Sequence, residues 1–270
     1  MKEKGFMKRL ILSSTKLAMF STGVSICLAG LVASAAAGAE ETKADNEVSF
    51  NAAVVSDYRY RGISQTRLQP ALQGGADYTN NPSGLYAGSW LSTIKWTKDA
   101  GGSGDLEWDI YAGKRGDIVS GSYHLSYDVG VLGYAYPANG LGNVPGFANA
   151  NTAEVYGQIG LGPAYAKYSY ALSNLFGFVD SKGSGYLDLG ANLDAGNGFT
   201  LNLHAGRQTV KNNGAANYSD WKLGLGKDFG LVSGALALVG TNAGKLAYAS
   251  PANGKFMGKR ALVLTVSKAF

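Results

Sequence analysis

The sequence has one cysteine in 270 residues, Cys27, and it falls inside an N-terminal stretch that reads as an export signal. A lone thiol excludes a disulfide framework and a thiolate metal centre. Histidines number two and prolines six. Metal-ligand spacings such as H-E-x-x-H, phosphate-cradling glycine loops and the G-x-S-x-G elbow are all missing. Beyond residue 39 no stretch keeps a helical period over three turns. Nor does a proline- or serine-rich linker, a charge block or a repeat of fixed period mark a domain boundary. Nothing in the chain calls for a cofactor or a metal.

What is present begins with the signal. Lys2, Lys4, Lys8, Arg9 and Lys16 precede an uncharged run from Leu17 to Ala39 that ends AAAGA before Glu40. A basic start, an apolar middle and small residues at the end are the order of a secretory signal peptide, with cleavage expected after Ala39. Residues 1–39 are therefore assigned to the signal and 40–270 to a single mature domain. Five of the 24 basic residues and one of the 19 acidic ones precede Glu40, leaving 19 against 18, a net charge of +1. The sequence pI near 9.1 comes mostly from the signal. It gives no argument for a nucleic-acid partner.

The mature chain alternates. In FTLNLHAG, Phe199, Leu201, Leu203 and Ala205 oppose Thr200, Asn202 and His204. DLEWDIYA and YLDLGANLD repeat the pattern. Period two with one apolar face predicts antiparallel strands. About twelve such segments of roughly ten residues, the length of a tilted membrane-crossing strand, start near Val48, Ala71, Leu85, Leu106, Ser122, Ala153, Tyr165, Tyr186, Phe199, Ser219, Val232 and Lys259. Two of them, LYAGSWLSTIKW from Leu85 and VSGALALVG from Val232, do not reveal which face is apolar. Connections alternate too: long at Tyr58–Pro70, Thr97–Gly104, Pro137–Asn151, Leu172–Gly185, Thr209–Tyr218 and Thr241–Gly258, and mostly short between. KRGDIVSG (Lys114–Gly121) reads as one longer turn on the short side. Long external loops and tight periplasmic turns are the pattern of an outer-membrane barrel. The last strand ends on Phe270, an aromatic carboxyl terminus expected to serve as the assembly signal. The fold expected is all-β: one antiparallel transmembrane barrel of about twelve strands.

SDYRYRGISQT (Ser56–Thr66) with PALQGGADY (Pro70–Tyr78) resembles the signature of the TorF family, as do EWDIYAG, SYDVG, YAYP and the closing LTVSKAF. The resemblance spans essentially all the mature chain. It implies an outer-membrane barrel taken to be a pore, and it brings no established catalytic or binding residues.

Carrying the parity of the first strand onward puts Tyr58 and Tyr60 outward at the external membrane interface, a level tyrosine favours. The same parity puts Asp57, Arg59, Arg61, Asp77, Glu107, Asp109, Asp128, Glu154, Lys167, Asp188 and Lys222 on the inner wall. Seven acidic against four basic groups predict a weak preference for small cations among diffusing hydrophilic solutes. Asp57 and Arg59 or Arg61 are equally suited to pairing with charges across the wall and bracing it. A non-conducting anchor or adhesin is the alternative. A lipid hydrolase is less favoured, because His124-Leu125-Ser126 is only a fragment of a nucleophile–base signature. Partners expected are outer-membrane lipids, periplasmic chaperones, the barrel-assembly machinery and small solutes.

Overall fold

The computed structural model describes residues 44–121 and 123–270. The expected signal and its cleavage site lie outside the described residues. Strand β1 (Asn46–Val55) leads into a hairpin of two short strands, β2 (Arg59–Tyr60) and β3 (Ile63–Ser64). Then follow β4 (Ala71–Asn80), β5 (Leu85–Thr93), β6 (Leu106–Ser120), β7 (Tyr123–Ala135), β8 (Thr152–Leu161) and β9 (Ala164–Ala171). The chain continues through β10 (Gly185–Gly196), β11 (Phe199–Thr209), β12 (Tyr218–Asp228), β13 (Ser233–Thr241) and β14 (Ala261–Ala269). Among the described residues, β1 and β4 to β14 make a closed barrel of twelve antiparallel strands.

Closure is a β1–β14 ladder running from Val55↔Thr265 to Asn51↔Ala269. Phe270 extends it by one rung: its N–H donates to the Phe50 carbonyl at 2.9 Å, and its own carbonyl accepts from Phe50 N–H at 3.3 Å. An open sheet would leave these groups unpaired along two edges.

The faces sort as the alternation requires. Val48, Phe50, Val54, Leu72, Leu264 and Val266 point outward and are exposed, whereas Ala53 and Val55 point inward. The two strands whose sequence gave no orientation are settled by size. In β5, Tyr86 and Trp90 turn inward and Leu85 and Leu91 outward; in β13, Val239 is inside and Leu236 and Leu238 outside. Inward tyrosines lie flat over glycines of the neighbouring strand. Tyr111 covers Gly88, where an added Cβ would stand 2.3 Å from the ring, and Tyr86 and Tyr156 cover Gly113 and Gly130. Glycine there makes room for the ring, which shields the backbone that glycine leaves bare.

One connection differs from expectation. Residues 114–120 are not a turn, because β6 runs on to Ser120 and pairs with β7 through Asp117↔Ser126, Ile118↔Leu125 and Val119↔His124. Its other neighbour β5 stops at Leu85↔Lys114, so the hairpin projects past the wall. Two glycines and three charges in KRGDIVSG suggest a loop, but Ile118 and Val119 favour extended backbone and continue the ladder.

Candidate functional site: the occupied lumen

The lumen is filled from one end by the segment between β1 and β4. The chain leaves the wall at Ser56, whose N–H still bonds the Leu264 carbonyl at 2.9 Å. It then doubles back as the β2–β3 hairpin, with Arg59 opposite Ser64 and Tyr60 opposite Ile63. The two turn residues are Arg61 at φ 47° and Gly62 at φ 79°. Two successive positive φ values make the turn whose twist suits a two-residue hairpin. Glycine at 62 is also demanded by space, since a Cβ would fall 2.5 Å from Thr241 Cγ2 and 2.8 Å from Asp220 Cβ. The tip of the hairpin is pressed against β12 and β13.

Each side chain of Asp57–Arg61 finds a partner inside. Tyr58 Oη donates to Glu107 Oε1 at 2.9 Å, and its ring stands edge-on to Trp90 with centroids 5.4 Å apart. Arg59 Nε donates to Asp57 Oδ2 at 2.6 Å. Its Nη1 reaches the carbonyls of Gly62, Met257 and Lys259 at 2.9–3.0 Å. Asp57 Oδ1 accepts from Ser64 Oγ at 2.5 Å. Tyr60 bonds the Tyr134 hydroxyl. Arg61 donates to Glu154 Oε2 at 2.7 Å and Gln208 Oε1 at 2.8 Å, and its guanidinium carbon lies 4.3 Å from the Tyr186 ring centre. Thus Glu107 of β6, Glu154 of β8 and Gln208 of β11 hold one short hairpin from three sides. Past the hairpin, Arg67 bonds Asp99 of the next long loop through Nε at 2.8 Å.

Tyr58 and Tyr60 therefore do not face lipid. Tyr58 is only 1% exposed and belongs to the buried core cluster, and Tyr60 packs against that cluster. The parity of β1 ends where the chain leaves the wall, so extrapolating it to residue 60 fails. Alternating charge and aromatic in SDYRYRG reflects a hairpin buried on both faces.

The wall residues do point inward. Glu107, Asp109, Asp128, Glu154, Lys167 and Asp188 are buried, as are Asp57, Arg59 and Arg61 of the plug. Asp77 and Lys222 are half-buried. Asp77 accepts from Tyr111 Oη at 2.5 Å, Asp128 from Tyr86, and Lys167 Nζ sits 3.9 Å above the Tyr156 ring. Among the described residues, neither oxygen of Asp109 and only one of Glu107 has a hydrogen-bond partner. The acidic surplus on which a cation preference was expected is mostly enclosed or paired, so it does not line open space.

Residues that sequence reasoning left out complete the network. Asp220, two positions from Lys222 on the same face of β12, is 3% exposed. His204 bridges it to Asp188, with Nδ1 2.8 Å from Asp188 Oδ1 and Nε2 2.7 Å from Asp220 Oδ1. Tyr186 Oη donates to Asp220 Oδ2 at 3.0 Å. Both imidazole nitrogens are thereby engaged by carboxylates, and neither is free to act as base toward a serine. His124 is exposed on the projecting hairpin.

Beside the plug the packing is uneven. Where β12, β13, β14 and β1 form the wall, the inward side chains include the small Ala235, Ala237, Val239, Val263 and Thr265. They leave a cavity of about 50 Å³, bounded across the lumen by Asp57, Tyr58 and Arg59 and below by Asn202 and Lys222. That volume suffices for a few water molecules.

Residues 39–270 match the family model described as a bacterial protein of unknown function, Gcw_chp. The chain belongs to that family. A search of curated proteins finds no match. Among solved structures, one chain from work on the in-meso crystallization of membrane proteins is 9% identical. The likeness covers 82% of this chain and 83% of that one, with a TM-score of 0.44. Pseudomonas aeruginosa OccK5 (OpdH) is 14% identical over 84% of this chain and 67% of its own, with a TM-score of 0.38. Pseudomonas aeruginosa OprD is 9% identical over 83% and 66%, with a TM-score of 0.39. These distant likenesses carry no inference about what the Gcw_chp chain does.

Proposed function

We propose that this Gcw_chp protein is an outer-membrane diffusion channel of low conductance for small hydrophilic solutes, with the inward-folded Ser56–Pro70 segment as its constriction. Its apolar exterior suits lipid, and a closed barrel leaves no backbone group unpaired there. The observation that carries the channel reading is the uneven lumen. The Ser56–Pro70 loop enters the bore from one end and packs against inward wall side chains such as Trp90 and Tyr134, and beside it a cavity of about 50 Å³ remains. A barrel of twelve strands stands between small barrels filled by their own side chains and large open porins. The resemblance of SDYRYRGISQT to the TorF family favours the same function. Export through the general secretory route, with cleavage after Ala39 and insertion by the assembly machinery reading Phe270, completes the proposal.

The opposite reading, a closed anchor, is favoured by how firmly the plug is held. Planar-bilayer recording separates the two. Purified protein is expected to give small steps, and a variant with Asp57–Gln69 replaced by a short Gly-Ser turn steps several times larger. Silence from both proteins would leave the anchor.

A further inference from the structure

We propose that the cavity beside the plug is a binding site for a small anion of chloride or formate size, held between Lys222 and the free guanidinium nitrogen of Arg59. Arg59 is 2% exposed, and it lines the cavity. Its Nε is taken by Asp57 and its Nη1 by three carbonyls, but among the described residues Nη2 has no partner. A buried cationic donor left unmet is costly, and a bound acceptor removes that cost.

The charges around the cavity point the same way. Asp57, the carboxylate on its boundary, is already occupied by Arg59 Nε, Ser64 Oγ and Thr66 Oγ1. The opposite wall contributes Ala235, Ala237, Val239, Val263 and Thr265, none of them charged. Lys222 projects from β12 between His204 of β11 and Val239 of β13. Asp188 and Asp220 share the single imidazole of His204, so that cluster keeps net negative charge, but neither aspartate lines the cavity. Asn202 spends its amide on Asn192 at 2.7 Å, and Gln73 donates to Ser92 at 3.2 Å. Among the lining side chains, formal charge is one ion pair plus one lysine. In a confined, low-dielectric space that single excess cation is weakly screened. The volume admits an anion of a few heavy atoms and excludes large polyanions.

This inference deepens the channel reading by giving the constriction a preference for anions, yet the site requires only the folded barrel. Crystals of the purified mature protein soaked in sodium bromide test the site through anomalous scattering. Bromide is expected in the cavity within hydrogen-bonding reach of Lys222 Nζ and Arg59 Nη2, and lost from crystals of Lys222→Gln. An empty cavity in the well-ordered wild type overturns the proposal. In bilayers under a tenfold KCl gradient, the reversal potential should carry the sign of anion selectivity, and Lys222→Glu should move it toward or past zero. Cation selectivity of the wild type, or no shift in the variant, overturns it as well. A silent membrane together with bromide at the site upholds the site and sinks the channel.

Discussion

Removing Glu154 should unlatch the plug. Its carboxylate accepts Arg61 Nη2 at 2.7 Å and the Tyr134 hydroxyl at 3.1 Å, and Arg61 is 8% exposed. Glu154→Ala leaves that guanidinium with Gln208 and the ring faces of Tyr60, Phe176 and Tyr186. Breaking one side of a buried ion pair typically costs about 3–5 kcal/mol. The cost falls on the docked hairpin, since the β7–β8 and β8–β9 ladders keep their backbone bonds. At 1.4 kcal/mol per decade, the ratio of undocked to docked plug should rise by roughly two to three and a half decades. Single-channel recording should show longer or larger openings, and trypsin should cut after Arg59 or Arg61 in detergent-solubilised protein. Arg61→Ala/Glu154→Ala, which removes both members of this ion pair, should undock less than Glu154→Ala alone. Unchanged openings and full trypsin resistance in Glu154→Ala would refute the latch.

Tyr58→Phe removes one hydroxyl and strips Glu107 of its donor from the plug. Chemical or thermal unfolding in detergent should show a loss of about 1–3 kcal/mol, whereas a tyrosine at a lipid interface would tolerate phenylalanine with no such loss. Gly62→Ala places a methyl against Thr241 and Asp220 at a positive φ. Strain of about 1–2 kcal/mol plus overpacking of about 1–3 kcal/mol should lower the unfolding midpoint or increase trypsin cleavage of the hairpin, and wild-type behaviour in both would contradict the packing described. Deleting Phe270 removes the final rung of the closing ladder, so heat-modifiable barrel in the outer membrane should fall; undiminished assembly would remove its role as a signal.

The wall was legible because each strand declares itself. Alternation is a local property, and all twelve observed strands start within two residues of the expected positions. Orientation was legible wherever aliphatic and polar residues alternate, as in β11. It failed in β5, because Tyr86 and Trp90 are as apolar as Leu85 and Leu91, and only ring–glycine fit across strands decides the face. The turn at residues 114–121 was misread for a related reason: composition said loop, but pairing with β7 was the deciding, non-local term. The inward fold of SDYRYRG was illegible from parity, since nothing in the periodicity announces that a chain leaves the sheet. One cue was available. Arg-Gly between Tyr60 and Ile63 is a plausible two-residue turn, and two arginines beside tyrosines seek partners such as Glu154 on distant strands. Asp220 was within reach of the parity count that selected Lys222. Its pairing with His204 depends on the register of β11 against β12, which spacing alone does not fix.

Residues 40–270 contain no cysteine, so single introduced thiols can report where the first loop lies. Ile63 is 8% exposed at the plug, and Leu246 is fully exposed on the loop before β14. In detergent-solubilised, folded protein, Leu246→Cys should react with a bulky hydrophilic maleimide at the rate of a free thiol. Ile63→Cys should stay protected, reacting more slowly by orders of magnitude until the barrel is denatured. Equal, rapid labelling of both in the folded state would place SDYRYRG outside the barrel and contradict an occupied lumen.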